Sequence, residues 1–222
     1  MLAMPQMSPA GAWTSLLEGN DRFVRGEMLH PSQDVARRAD LSAAQDPFAV
    51  VFGCSDSRVA AEIIFDRGLG DLFVVRTAGH VVDTTVIGSI EYGIDILSAP
   101  LVIVLGHDSC GAVGAAADAL ATGRMPSGFV RAVVDRVIPS IVSLPDPDAD
   151  PAHAGDDHPS RMHPSAADLG REHVRHTVRM LLSYSAGLAT AVAEGRCAIV
   201  GLEYALAEGR VRIVESRGTL EP

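Results

Sequence analysis

Apolar residues in this chain fall into short unbroken runs separated by amphipathic stretches. Phe48 to Gly53 (FAVVFG), Asp71 to Arg76 (DLFVVR), Leu101 to Gly106 (LVIVLG) and Cys197 to Leu202 (CAIVGL) are of strand length and almost free of polar interruption. Strands with that composition are buried on both faces of a sheet. The segments between them, Val59 to Phe65, Asp83 to Ser98, Gly111 to Thr122 and about Ala167 to Glu194, predict helices. The alternation predicts an α/β fold: a mostly parallel central sheet of four parallel strands, flanked by helices. Arg210 to Val214 predicts a fifth strand, returning as an antiparallel edge.

The two ends of this pattern differ from its middle. Ala10 to Arg25, with Trp13, Leu16, Leu17, Phe23 and Val24 apolar, predicts a helix in an N-terminal arm spanning 1–40. Lying ahead of the alternation, it is expected to pack on a neighbour rather than in the central core. Residues Pro145 to Pro164 (PDPDADPAHAGDDHPSRMHP) have no apolar periodicity, which predicts a flexible loop over 145–165. No internal repeat is present, and a chain of 222 residues fits one domain, 1–222.

Charge and composition narrow the chemistry. A net charge of −10 disfavours nucleic acid or an anionic membrane as a partner. All 18 basic residues are arginine, so Schiff-base chemistry and the P-loop lysine are excluded. No apolar run approaches the roughly 18 residues that a membrane span needs. The N-terminus lacks the basic and apolar regions of a signal peptide, so the expected location is the cytoplasm. Three cysteines are poor material for a disulfide framework and better material for a metal or a reactive site.

Two of those cysteines stand in a telling context. Cys54 follows the strand FAVVFG, His107 follows LVIVLG, and Cys110 lies three residues further on, where a helix begins. Open parallel sheets gather ligands at the carboxyl ends of their strands, so these residues are expected to converge. Two thiolates and an imidazole suit zinc, and three protein ligands with an open fourth position mark a catalytic site rather than a structural one. Cys197 sits inside an apolar strand and reads as core packing.

The pairing of Cys54-Ser55-Asp56-Ser57-Arg58 with His107-Asp108-Ser109-Cys110 resembles the C-x-D-x-R and H-x-x-C signatures of the β-class carbonic anhydrases, and the resemblance extends from about Trp13 to Val214. It implies reversible hydration of carbon dioxide to bicarbonate and a proton by zinc-bound hydroxide, faster toward alkaline pH. It also implies zinc on Cys54, His107 and Cys110, with an Asp56–Arg58 ion pair beside it. In a closed state Asp56 would swing onto the metal as fourth ligand. Further positions match the family singly. Gln45 would bind substrate, Phe73 and Tyr92 would shape an apolar pocket, and Gly111 would let backbone approach the metal. Gln45 and Tyr92 are expected from the partner subunit of a homodimer or a dimer of dimers. Core filling accounts for Phe73 and Tyr92 equally well.

Some bacterial relatives carry a tryptophan three residues before the first zinc cysteine, in a second, inhibitory bicarbonate site. Here that position is Val51, so the second site is expected to be absent. His80, His153, His158 and His163 are not assigned to proton transfer. Two other activities fit the same residues: hydrolysis of carbon disulfide or carbonyl sulfide, and metal-stabilised binding without turnover. The Asp56–Arg58 pair argues against the last, because a purely structural metal needs neither residue.

Overall fold

The computed structural model describes residues 7–142 and 166–220; the predicted loop at 145–165, with His153, His158 and His163, lies outside the described residues. Five strands form one sheet in the order β2-β1-β3-β4-β5. They are β1 (Ala49–Cys54), β2 (Leu72–Thr77), β3 (Leu101–His107), β4 (Ala198–Ala205) and β5 (Arg210–Arg217). The first four run parallel, and β5 pairs antiparallel with β4 after a tight turn.

Side chains alternate across the sheet and are covered on both sides, as the unbroken apolar runs require. On one face Val51, Ile103, Leu105, Val200 and Leu202 pack with Ile64 and Phe65 of the α3 region (Ala61–Ile64). On the other, Val50, Phe52, Val102, Val104 and Ile199 meet α4 (Thr84–Glu91), α7 (Ala166–Tyr184) and α8 (Ala186–Ala193) through Val86, Ile90, Val178, Leu181 and Leu188. Cys197 is 1% exposed in this second layer, and burial pushes its thiol up to about 12. It is core packing.

The N-terminal helix departs from expectation. α1 (Pro9–Arg25) begins at the N-cap Ser8, which accepts from Gly11 N–H, and stops at Gly26 in the left-handed conformation. Its Ala12, Trp13 and Leu16 belong to the same buried cluster as β1, β3 and β4. The apolar stripe therefore packs into the chain's own core rather than on a neighbour. Gly19 and Asn20 explain how it seats: a Cβ on Gly19 would fall 1.8 Å from the Phe65 carbonyl oxygen, so the helix lies directly on that turn.

Two helices that the sequence reading did not mark are α2 (Val35–Asp40) and α6 (Val130–Val142), the latter with Pro139 inside it. The single helix expected over 167–194 is divided at Ser185, whose hydroxyl accepts from Leu188 N–H and starts α8. The helix expected over 83–98 is α4 continued by a π-helical turn at Tyr92–Ile96. α5 (Gly111–Thr122) matches its predicted span and packs with α6 beside the carboxyl ends of the strands. No described helix is long and apolar enough to cross a membrane.

Candidate metal centre

Strand order creates the site. β1 has β2 on one side and β3 on the other, so the chain changes direction across the sheet between β1 and β3, and their carboxyl ends open a crevice. Gly53 is level with Leu105, which brings Cys54, the last residue of β1, next to the end of β3 at His107. Cys110 caps the start of α5 and returns its sulfur to the same place. The ligand atoms of Cys54, His107 and Cys110 lie within 4.8 Å of one another, and the three residues are 5%, 4% and 8% exposed. Val81, Val113, Val134, Val137 and Leu169 wall the group with apolar surface.

The electrostatics of these side chains call for a cation. The Cys54 thiol is pulled down to about 4, first by a hydrogen bond from Cys110, against its burial, with help from His107 and the amides of Asp56 and Gly79. The same sulfur, together with burial, drives the Cys110 thiol up. Burial opposes a charge on His107, yet Cys54, the Asp108 carbonyl and Asp56 together raise its pKa. Negative charge is thus concentrated in a dry pocket where protons alone satisfy it poorly. The His107 ring is already set for ligation: Nδ1 lies 2.7 Å from the Asp108 carbonyl oxygen, to which it donates. That bond leaves the Nε2 lone pair facing the sulfurs, and Nε2 is a buried atom without a hydrogen-bond partner among the described residues. Two sulfurs and one imidazole nitrogen, all deprotonated when bound, form a donor set that fits zinc.

Asp56 is held beside this group by Arg58. The guanidinium donates from Nε to Oδ1 (2.9 Å) and from Nη2 to Oδ2 (2.7 Å), and the Arg58 N–H adds a third bond to Oδ1 at 2.9 Å. Those contacts hold the carboxyl well below the usual carboxylate range, the Arg58 side-chain bonds being the largest cause. Oδ2 is 3.8 Å from His107 Nε2, so the carboxylate lies against Arg58 and borders the ligand group. Arg76, not singled out in the sequence, fixes the turn itself: it donates to the Cys54 carbonyl (3.0 Å) and to the Asp56 carbonyl (2.7 Å). An arginine at the end of the strand paired with β1 was the available signal, since Gly53 is level with Arg76.

The expected pocket residues are elsewhere in the protomer. Phe73 is level with Val50, four residues before Cys54, hence about 13 Å back along the strand. Its ring lies 6.1 Å from that of Tyr92, which is 46% exposed, and Gln45 precedes β1 and is exposed. A chain's own Phe73 therefore does not line its own metal pocket. Gly111 opens α5, and a Cβ there would meet nothing within 4 Å among the described residues, none of which requires a glycine at this position. Val51 is 1% exposed in the core, in the same cluster as Trp13.

Comparison with known proteins agrees with this geometry. A family model described as carbonic anhydrase matches residues 49–211. The chain is 52% identical over 217 residues to a carbonic anhydrase of Mycolicibacterium smegmatis and 49% identical over 217 residues to carbonic anhydrase 2 of Mycobacterium tuberculosis, each alignment covering 98% of both chains. Among solved structures it resembles a tetrameric β-carbonic anhydrase of Sordaria macrospora, with a TM-score of 0.65 and 24% identity, covering 82% of this chain and 87% of that one. A Coccomyxa β-carbonic anhydrase in complex with acetazolamide superposes with a TM-score of 0.62 at 23% identity over 80% of this chain and 77% of the other. At those identities the structural likeness speaks for the fold.

Proposed function

The chain belongs to the carbonic anhydrase family and catalyses the reversible hydration of carbon dioxide to bicarbonate and a proton, and we propose that it does so with zinc held by Cys54, His107 and Cys110. The observation carrying this reading is the buried two-sulfur, one-imidazole group with an ionised carboxylate fixed at its edge. When bound, zinc supplies the Lewis acidity that makes water a nucleophile near neutral pH.

The protein's own part follows from the placement of Asp56. Oδ1 already accepts two hydrogen bonds, from the Arg58 N–H and Nε. Oδ2 accepts one from Arg58 and is the oxygen facing His107 Nε2, so it keeps a lone pair directed at the ligand group. Held ionised by Arg58, Asp56 is an acceptor only. It therefore holds a hydroxyl by its proton and turns that oxygen's lone pair away from itself, toward the carbon under attack. In the reverse direction the hydroxyl of bicarbonate occupies the same acceptor. Arg76 keeps the carbonyls of Cys54 and Asp56 in register with each other, so ligand and acceptor move as one piece.

Gln45, Phe73 and Tyr92 lie at the opposite end of β1 and β2 from Cys54, and Gln45 and Tyr92 are exposed, which supports a substrate pocket completed across a homodimer by the second copy. A cytoplasmic location accords with the same reading. The test is a zinc-loaded sample assayed for carbon dioxide hydration and carbonyl sulfide hydrolysis side by side. Hydration with one zinc per chain is the expected result; hydrolysis of carbonyl sulfide without hydration would overturn the assignment.

A further inference from the structure

Behind the ligand group lies a set of buried polar side chains that the reaction does not use. His80, Ser140, His173 and Thr177 are each 0–1% exposed, enclosed between the sheet and α6 and α7. His80 and His173 face each other with ring centroids 4.3 Å apart, and Phe52 meets His80 edge-on at 6.3 Å. Burying an imidazole in an apolar layer costs free energy unless its nitrogens are hydrogen-bonded. Those of His173 are, while those of His80 have no partner among the described residues, so the two rings are kept at a cost for what they hold in place.

What they hold is the turn over residues 78–80. Gly79 adopts a left-handed backbone (φ 64°), and a Cβ there would come 2.5 Å from the Ala112 Cβ. His80 follows, also left-handed (φ 40°), an arrangement that needs support from its surroundings. The turn directs the Gly79 N–H at the Cys54 sulfur, 3.3 Å away, while the Gly79 carbonyl accepts from His173 Nε2 at 2.8 Å. A carbonyl can only accept, so Nε2 carries the proton. The opposite nitrogen, Nδ1, lies 2.9 Å from the Ser140 hydroxyl. Burial pushes the His173 pKa down to about 4, which favours the neutral ring, whose Nδ1 then only accepts. The single Ser140 hydrogen is shared between Nδ1 and the Val137 carbonyl oxygen, 2.6 Å from the hydroxyl. Two hydrogen bonds thus lead from His173 through Gly79 to Cys54, one on each side of the Gly79 Cα.

We propose that His173 is a positioning residue for the metal centre, fixing the backbone at Gly79 through its carbonyl so that the N–H on the other side of the Gly79 Cα donates to the Cys54 sulfur. The proposal rests on the reading of Cys54 as a metal ligand. An N–H bonded to a thiolate withdraws charge from the sulfur and sets its direction. Outer groups of this kind tune the affinity and acidity of a bound metal. His80 acts on the same turn by packing, its ring filling the space between Phe52 and His173.

The test compares His173→Leu, which removes the donor at similar volume, with His173→Gln, whose amide N–H reaches about as far as Nε2. Metal binding is measured with zinc and with cobalt(II) by competition against a chelator, independently of turnover. His173→Leu should weaken metal affinity about 10- to 100-fold and move the thiolate-to-cobalt charge-transfer band to lower energy. His173→Gln should restore affinity to within about 3-fold and return the band, since it restores the bond to the Gly79 carbonyl. A merely structural histidine would leave the band in place, or would lose as much in the Gln variant as in the Leu variant, and either result overturns the proposal. Should His173→Leu fail to fold, nitrogen-15 spectra of the wild-type imidazoles decide it. The Nε2–H tautomer of His173 is required, and the Nδ1–H tautomer would overturn it. Absence of metal binding by the wild-type protein would instead remove the metal-site reading itself.

Discussion

Asp56 and Arg58, two residues apart, meet through two parallel side-chain hydrogen bonds of 2.9 and 2.7 Å, and this pairing turns the carboxylate toward the arginine. The competing arrangement has Asp56 on the metal, in the place of the attacking oxygen. Which one prevails depends on the strength of a bidentate pair whose arginine is half-exposed, with its side chain 54% accessible.

Arg58→Ala should therefore release Asp56 onto the metal. Activity is expected to fall on the order of 100-fold or more, comparable to losing one preorganised group at a reacting centre, while the metal stays bound. Rate measurements with metal analysis on the same sample check this. Wild-type turnover in Arg58→Ala would remove the acceptor role from Asp56.

Cys110→Ser replaces a thiolate by a neutral hydroxyl of nearly the same shape. Cys110 is 8% exposed and its neighbours are small and apolar, so the fold should survive. Metal affinity should drop by at least about 100-fold, beyond the usual effect of a change outside the ligand set. Full metal occupancy with normal rates would show that Cys110 is no ligand.

Acid should destabilise the protein through its buried histidines before its carboxylates matter. His173 is pushed down to about 4 by burial, and burial with His173 beside it drives His80 well below its ordinary value. Both stay neutral in the fold, while the unfolded chain protonates them below about 6.5. The unfolded state thus binds more protons between those limits, so stability rises with pH there and is lost on acidification. For His173 alone the loss from pH 6.5 to 4 is about 3 kcal/mol. Unfolding of wild type and His173→Gln, followed from pH 7.5 to 5 at one protein concentration, isolates it. The glutamine variant should show the shallower slope, and equal slopes would mean that His173 is charged in the fold.

How much of this was legible beforehand varies by element. β1, β3 and β4 were readable because burial on both faces leaves an unbroken apolar run, and β2 carries such a run although it lies half-buried at the sheet edge. Cys54 and His107 could be placed at the strand ends for the same reason. α6 was missed although Val130, Val133, Val134, Val137, Ile138 and Ile141 repeat at helical spacing; Pro139 interrupts that pattern without breaking the helix. The division at Ser185 was hidden because a serine between two helical segments marks a cap only once the chain is seen to turn. α1 was recognised as amphipathic, but periodicity names the apolar face without naming what it meets. His173 offered no signal, since its partner is a backbone carbonyl 94 positions away.

The seat of α1 yields the last prediction. The Asn20 side chain is 2% exposed and connects three distant points of backbone. Nδ2 donates to the carbonyls of Ile64 (3.1 Å) and Gly209 (2.8 Å), and Oδ1 accepts from Val211 N–H (3.0 Å). Asn20→Ala leaves all three groups without this partner, and a loss of about 2–4 kcal/mol follows from unsatisfied buried backbone. Asn20→Asp keeps shape and volume yet should be worse. Its carboxylate would face two carbonyl oxygens where Nδ2 donated, and protonation to relieve that repulsion requires a raised pKa. Near neutral pH the expected order of melting temperature is wild type, then Asn20→Ala, then Asn20→Asp, and acidification should narrow the gap between the two variants. Metal content should be unchanged in both, because Asn20 contacts α3, β5 and the turn before it rather than the ligand group. An Asp variant as stable as wild type at neutral pH would show that this clamp is wet and that α1 is held by its apolar stripe alone.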